Sequence, residues 1–268
     1  MERDRDVRPR AGVLAILSGA IALAAAASAF ADQTPEQIVA CVRANFPEQT
    51  AIARIELSPR DRLGRERTVA AVLRWKREAR GSRVLLRAEA PPDLRDTAVL
   101  LIERAGDVAD LFMYVPEMRK TRRITSQMLH GSLFGSDFSY EDFRRFLMMA
   151  AVGRAERLPD VEVDGVAAFV VAHHPAADVG SAYDRIVTYV EKARCIPLRT
   201  EMWEESERLR KVLFVDRHSI LEEGRTRMPR VAVMRDLERG TESRLEASEI
   251  RLGVAIPSRN LDLKNLGR

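Results

Sequence analysis

The stretch that most resembles an active site spans residues 129–143, with the sequence LHGSLFGSDFSYEDF. It combines glycines, hydroxyl groups, His130 and Asp137, which are residue types found in nucleophile loops and phosphate-binding loops. An enzyme would use Asp137 or His130 of this segment. The spacing is wrong for a nucleophile elbow, because neither Gly131-Ser132 nor Gly135-Ser136 fits G-x-S-x-G. We therefore predict no catalytic residue here, and we keep an enzyme as an alternative.

The sequence carries none of the other catalytic or cofactor signatures that we sought. No Gly-Lys-Ser/Thr follows a glycine loop, and no dinucleotide fingerprint occurs. His173-His174 precedes Pro175 at a strand end, where adjacent side chains diverge, so we predict a solvated loop there and no metal site. The 44 Lys and Arg and the 40 Asp and Glu are interspersed, which argues against a nucleic-acid partner. We expect a non-enzymatic protein without a cofactor or a metal.

The amino-terminal stretch has the pattern of an export signal. A basic start, residues 1–10, is followed by an uncharged, alanine-rich run from Ala11 to Ala31 that ends in Ala29-Phe30-Ala31. An A-x-A ending before polar residues predicts a cleaved signal peptide over residues 1–31, with a retained membrane anchor as the alternative. We therefore expect residues 32–268 to form a single exported domain.

Cys41 and Cys195 both lie in the predicted mature chain. In an exported protein an even pair of cysteines can oxidise, so we predict a disulfide between them. Two buried free thiols are the alternative.

The periodicity of apolar residues predicts a meander of antiparallel strands with few helices. Thr34-Pro35 and Ser139 begin two predicted helices, and Pro91-Pro92-Asp93 marks a third helical region. Alternation and turn signals, of which Asp164-Gly165 is the strongest, place strands through most of the remaining chain. The fold class is therefore mainly β (α+β), with one sheet face beneath the helices.

Helices that cover a sheet face loosely leave a pocket between the two layers. Alternation alone gives the apolar side chains that we predict to face this cavity. They are Leu73, Trp75, Val84, Leu86, Leu100, Ile102, Phe112, Tyr114, Leu198 and Met202.

Several segments, in order, are similar to those of a known family. YVPE at 114–117, RRI at 122–124 and SLFGSDFSYEDF at 132–143 resemble motifs of the outer-membrane lipoprotein-sorting proteins, the LolA-like periplasmic proteins. Asp96 departs from the pattern, because the family usually has glycine in that turn. The family's lipoprotein carriers also hold a lid with a strand arginine, for which Arg74 is only a candidate here.

The resemblance implies a LolA/LolB-like open, curved antiparallel half-barrel, capped by a few helices around a cavity for acyl chains. The motif would anchor the lid through Phe134, Asp137, Phe138, Tyr140, Glu141 and Asp142, with the acids meeting the basic run at 119–123. It also implies an inner-membrane permease of the RND/MMPL type as the partner.

The leading hypothesis is a monomeric periplasmic carrier that binds lipid or lipoprotein acyl chains and moves them toward the outer membrane. A periplasmic sensor or scaffold that regulates a membrane partner without carrying lipid is the alternative.

Overall fold

The computed structural model describes residues 33–104, 109–148 and 153–267 of the 268-residue chain. The predicted signal peptide, residues 1–31, lies outside this range. Two α-helices fall within it: α1, Pro35–Ala44, and α2, Tyr140–Met148. Residues 91–96, which the sequence suggested as helical, form turns instead.

The strands of the fold pair antiparallel throughout. In chain order they are β1 Thr50–Arg60, β2 Val69–Glu78, β3 Gly81–Ala90, β4 Ala98–Glu103, β5 Ala109–Val115, β6 Lys120–Arg123, β7 Gly153–Val163, β8 Val166–Pro175, β9 Arg185–Glu191, β10 Pro197–Glu204, β11 Arg208–Val215, β12 Ile220–Glu223, β13 Thr226–Pro229, β14 Val231–Asp236 and β15 Thr241–Leu252.

A single 13-stranded sheet contains all of these strands except β12 and β13. Its order is β6-β5-β4-β3-β2-β1-β15-β14-β11-β10-β9-β8-β7, and β12 and β13 form a separate hairpin. The sheet is curved and does not close into a barrel. The mainly β, open fold predicted from the sequence is therefore confirmed.

Local sequence explains the tight turns between neighbouring strands. Asp164 and Gly165 join β7 to β8 with φ of 51° and 75°, the left-handed values that a two-residue hairpin of this type needs. Asp and Gly tolerate these values better than other residues. Val163 consequently pairs with Val166, and the register of the hairpin is fixed.

The sheet has two different faces, and each is covered by other parts of the chain. The inner face, defined by Leu57, Trp75, Leu86 and Met202, packs against the segment 129–148 in the largest apolar cluster. We call this segment, which includes α2, the cap segment. The outer face, at Leu85 and Leu100, packs instead against Ile256, Leu261 and Leu266 of the carboxyl-terminal segment.

Helix α1 covers the other end of the inner face. Its Ile38 and Val42 are buried against Phe169 and Val190 of β8 and β9. Cys41 is bonded to Cys195 in a disulfide, with 5.8 Å between the two Cα atoms and a sequence separation of 154. The bridge therefore attaches α1 covalently to the segment that enters β10.

Candidate functional site

An apolar cavity of about 100 Å³ lies between the inner face, the two helices and the β12–β13 hairpin. Most of its surface is apolar, and its polar groups come from only a few side chains. The lining residues are Val42, Asn45, Phe46, Asp142, Arg145, Phe146, His173, Ile186, Thr188, Ile196, Pro197, Thr200, Met202, Leu213, Val215, Arg227, Met228, Pro229 and Met234.

The strand register shows that the cavity runs lengthwise along β10. At one end Met202 pairs with Lys211, whose ammonium group bonds Asp142 of the cap segment. At the other end Pro197 begins β10, about 16 Å away for five residues of strand. We call these the cap end and the hairpin end of the cavity.

Asp137 attaches the cap segment to strand β15 through hydrogen bonds on both carboxylate oxygens. Thr241 donates to Oδ1 over 2.5 Å and Ser243 donates to Oδ2 over 2.7 Å. The Asp137 backbone N–H donates in turn to Ser243 Oγ over 2.8 Å. Because Asp137 and Ser243 are both buried, these bonds form a contact that is costly to break.

Asp142 lies in the first turn of α2 and accepts hydrogen bonds from three directions. The Ser139 N–H donates to its Oδ2 over 2.8 Å, and the Asp142 N–H donates back to Ser139 Oγ, so the predicted helix start at Ser139 is confirmed. Lys211 Nζ donates to Oδ2 over 2.9 Å, and Tyr183 Oη donates to Oδ1 over 2.9 Å. Burial, followed by the nearby Asp142 charge, raises the pKa of Tyr183 well above its usual value.

Glu141 is fully buried and links α2 to the loop before β9. Ser181 Oγ donates to its Oε1 over 2.6 Å, and the Ala182 N–H donates to its Oε2 over 2.9 Å. Arg145, one turn further along α2, pairs with the same carboxylate at 2.8 Å. The carboxylates of Asp137, Glu141 and Asp142 therefore all accept hydrogen bonds from the sheet or its loops. These contacts hold the cap segment.

The prediction that these acids pair with the basic run at 119–123 was wrong. Arg123 of the basic run at 119–123 pairs with Asp110 instead, and β6 lies at the far edge of the sheet. Arg74, the candidate lid arginine, pairs in register with Ile52 and Leu85 of the outer face. Lys211 of β11 is the strand cation that meets the cap segment.

The predicted cavity residues divide between the two faces of the sheet. Leu73, Trp75, Val84, Leu86 and Met202 all lie on the inner face, in the cluster beneath the cap segment. Among them only Met202 lines the cavity. The other four belong to the same apolar cluster as the cap segment, and Trp75 also stacks on Phe46 with 5.4 Å between ring centroids.

The choice of the remaining residues requires correction. Leu100, Ile102, Phe112 and Tyr114 lie on the outer face against the carboxyl-terminal segment, because Leu100 pairs with Leu85 and Phe112. Reading β4 and β5 one residue out of register moved this set to the wrong face. Leu198 is buried, but it lies outside the cavity lining.

The aromatic residues of the motif serve as packing groups of the cap segment. Phe134 and Phe138 are buried in the inner-face cluster, and Tyr140 packs against it while partly exposed. Phe134 and Gly135 have φ of 53° and 80°, so the loop makes a tight left-handed turn between them.

The polar residues of this site that the sequence did not predict include Lys211 and Arg227. Lys211 occupies an inner-facing position, since it alternates with Leu213 and Val215 along β11. A cation in the apolar half of an alternating strand was the available signal. Arg227 lies in a short hairpin whose position depends on long-range contacts, and its local sequence carries no comparable signal.

The described residues contain no group of three or more His, Cys, Asp or Glu side chains placed to hold a metal ion. Among the same residues, no helix is both long and apolar enough to span a membrane. His130, the other residue of the motif considered for catalysis, is exposed.

Solved structures with a similar fold cover most of the chain. A domain described as outer membrane lipoprotein-sorting, from Vibrio parahaemolyticus, has a TM-score of 0.74 and 22% identity over 86% of this chain and 97% of its own. A DUF1329 family protein from Desulfovibrio piger has a TM-score of 0.76 and 19% identity over 85% and 95%. A LolA superfamily protein from Nitrosomonas europaea has a TM-score of 0.69 and 18% identity over 87% and 99%.

A family model whose description reads "-like: Uncharacterized protein" matches residues 80–268. The chain belongs to this family and has the LolA-like fold. The comparison with curated protein sequences gives no match. The resemblance inferred from the motifs is confirmed, and in this LolA-like chain the motif forms the cap segment of the inner face.

Proposed function

We propose that this LolA-like protein is a periplasmic carrier that binds the acyl chains of lipids or lipoproteins on the inner face of its sheet. The main support is the apolar cavity, which is closed on one side by a cap segment held through polar contacts. Burial of an acyl chain there would contribute about 0.8 kcal/mol per methylene. The lipoprotein-sorting description of the Vibrio parahaemolyticus domain, which shares the fold, agrees with such a role.

Loading requires the cavity to enlarge. Its volume of about 100 Å³ is well below the roughly 300–1,000 Å³ of pockets that enclose a whole ligand. We propose that the cap segment moves away from the sheet, because its hydrogen bonds can be replaced by water while the covalent attachment of α1 cannot.

The same proposal covers the setting of the carrier. An export signal over residues 1–31 would place a single monomeric domain, residues 32–268, in the periplasm. Transfer would then proceed toward the outer membrane, with an RND/MMPL-type permease as the inner-membrane partner.

The test uses protein purified after export, with bound lipid measured by native mass spectrometry and uptake measured with a fluorescent fatty acid. Thr200→Phe fills the cavity from its lining, and Thr121→Phe makes the same change on exposed strand β6. We expect Thr200→Phe to weaken uptake at least about tenfold, or by about 1.4 kcal/mol, and Thr121→Phe to leave it unchanged.

The absence of co-purified lipid together with no fatty-acid uptake would overturn the carrier proposal. Equal uptake by the two threonine variants would instead show that acyl chains do not enter this cavity. Both variants should unfold cooperatively, which separates lost binding from lost folding.

A further inference from the structure

The hairpin end of the cavity differs in charge from the cap end. At the cap end both charged lining residues are paired: Asp142 with Lys211 at 2.9 Å and Arg145 with Glu141 at 2.8 Å. At the hairpin end the lining includes Arg227, whose side chain is 41% exposed. The cavity is therefore neutralised at one end and carries a cation at the other.

Arg227 has only a weak ion pair within the described part of the chain. Its Nε lies 3.8 Å from Glu222 Oε2, near the limit for an ion pair. Glu222 also makes a closer contact with Arg194, at 3.1 Å. Since a carboxylate shared in this way compensates Arg227 incompletely, the guanidinium keeps most of its capacity to bind an anion.

Arg227 is held at this position by contacts that are independent of any ligand. Its backbone N–H donates to the Asn45 carbonyl over 3.0 Å, at the end of α1. The Asn45 amide donates in turn to the Cys195 carbonyl over 3.0 Å, beside the disulfide. The neighbouring lining residues Met228 and Pro229 are apolar, so the cation stands at the edge of an apolar surface.

We propose that the ligand is an anionic amphiphile whose head group, a carboxylate or a phosphate, binds Arg227 while its acyl chain extends along β10 toward the cap segment. This inference rests on the carrier proposal and adds to it the charge and the orientation of the ligand. A neutral amphiphile of equal length would make the same apolar contacts and lose the ion pair.

The test compares dodecanoate with dodecanol as competitors of a neutral fluorescent apolar probe at neutral pH and low salt. We expect the wild-type protein to bind dodecanoate about three- to tenfold more tightly than dodecanol, as a partly exposed charged contact would give. This preference should shrink as salt is added.

Variants of the hairpin assign the preference to one side chain. Arg227→Gln should bind both competitors equally, and Arg227→Lys should keep a preference for dodecanoate because it keeps the charge. Arg225→Gln is the matched control, since Arg225 lies on the same hairpin with its side chain 85% exposed and outside the cavity lining. It should behave as wild type, and all variants should unfold at the wild-type temperature.

The two proposals fail in different ways. If neither competitor displaces the probe, the carrier proposal is overturned and this inference falls with it. If both bind equally to the wild-type protein, or if Arg227→Gln keeps the full preference, only the assignment of an anionic head group to Arg227 is overturned. Repeating the competition with dodecyl phosphate distinguishes a phosphate head group from a carboxylate by which of them binds more tightly.

Discussion

Replacement of Lys211 by methionine is the most direct test of how the cap segment is held. Lys211 Nζ donates to the Asp137 carbonyl over 2.7 Å and to Asp142 Oδ2 over 2.9 Å. The Lys211 side chain is 11% exposed and that of Asp142 is 1% exposed, so the pair is largely shielded from water. Methionine keeps an unbranched apolar stem as far as Cε, and removes the ammonium group with its charge and hydrogen bonds.

The expected loss of stability follows from which hydrogen bonds the Asp142 carboxylate loses and which it keeps. Breaking a buried ion pair by removing one partner costs about 3–5 kcal/mol. Asp142 still accepts hydrogen bonds from the Ser139 N–H and Tyr183 Oη, so we expect a value near the lower limit, about 3 kcal/mol. The loss should concentrate in the cap segment, since Lys211 contacts it and the strand pairs around β11 are unchanged.

Urea unfolding gives the total change, and hydrogen exchange with mass spectrometry locates it. Peptides within residues 129–148 should exchange faster in Lys211→Met, while peptides from β1 and β15 should change less. Lys120→Met is the matched control, because Lys120 is exposed on edge strand β6, and it should be neutral.

Adding Asp142→Asn to Lys211→Met removes the uncompensated carboxylate and should recover part of the loss. If Lys211→Met unfolds within about 0.5 kcal/mol of wild type and the cap segment exchanges at the wild-type rate, Lys211 does not hold the segment.

Two further predictions concern Tyr183 and Asp96. Tyr183→Phe should cost about 1–2 kcal/mol at neutral pH through the lost bond to Asp142. Because the raised pKa keeps Tyr183 protonated when unfolded tyrosine ionises, wild-type stability falls as pH rises above about 10, and Tyr183→Phe should lessen this slope by up to about 1.4 kcal/mol per pH unit in urea titrations. Asp96→Gly should stabilise the protein by about 0.5–1 kcal/mol in thermal unfolding, since Asp96 has a φ of 65°; a loss of stability would refute this account.

The alternation of apolar residues identifies the inner face in strands whose opposite face is partly exposed. In β2, Val69, Ala71 and Trp75 are buried while their neighbours are partly exposed, and the tight turn to β3 pairs Leu73 with Leu86. The pattern and the turn agree there, so the register can be read from the sequence.

In strands β4 and β5 the sequence pattern does not show which residues face inward. Ala98, Val99, Leu100 and Leu101 are all fully buried, because the cap segment covers one face and the carboxyl-terminal segment covers the other. A strand buried on both sides has a continuous apolar sequence, and alternation then carries no information about the face. The face on which Leu100 lies is therefore shown only by its packing against Ile256 and Leu261, which are distant in sequence.

The cap segment likewise has some contacts that are local in sequence and others that are distant. Ser139 and Asp142 are three residues apart, so their reciprocal hydrogen bonds follow from sequence. The partners of Asp137 and Asp142 on β15 and β11 are 106 and 69 residues away, and no local pattern identifies them. The basic run at 119–123 was predicted as the partner because it is near in sequence, and the prediction was wrong because the true partners are distant in sequence.

The attachments of the two helices assign different roles to the two ends of the cavity. The disulfide from α1 lies directly before Ile196 and Pro197, so the covalent bond fixes the hairpin end, where Arg227 stands. The cap end is closed by hydrogen bonds and ion pairs, which water would replace in the proposed opening of the cap segment. A ligand whose head group binds at the fixed end can keep that contact while its acyl chain enters or leaves beneath the moving end. The proposed head-group contact and the proposed opening are therefore compatible, because they use opposite ends of the same strand.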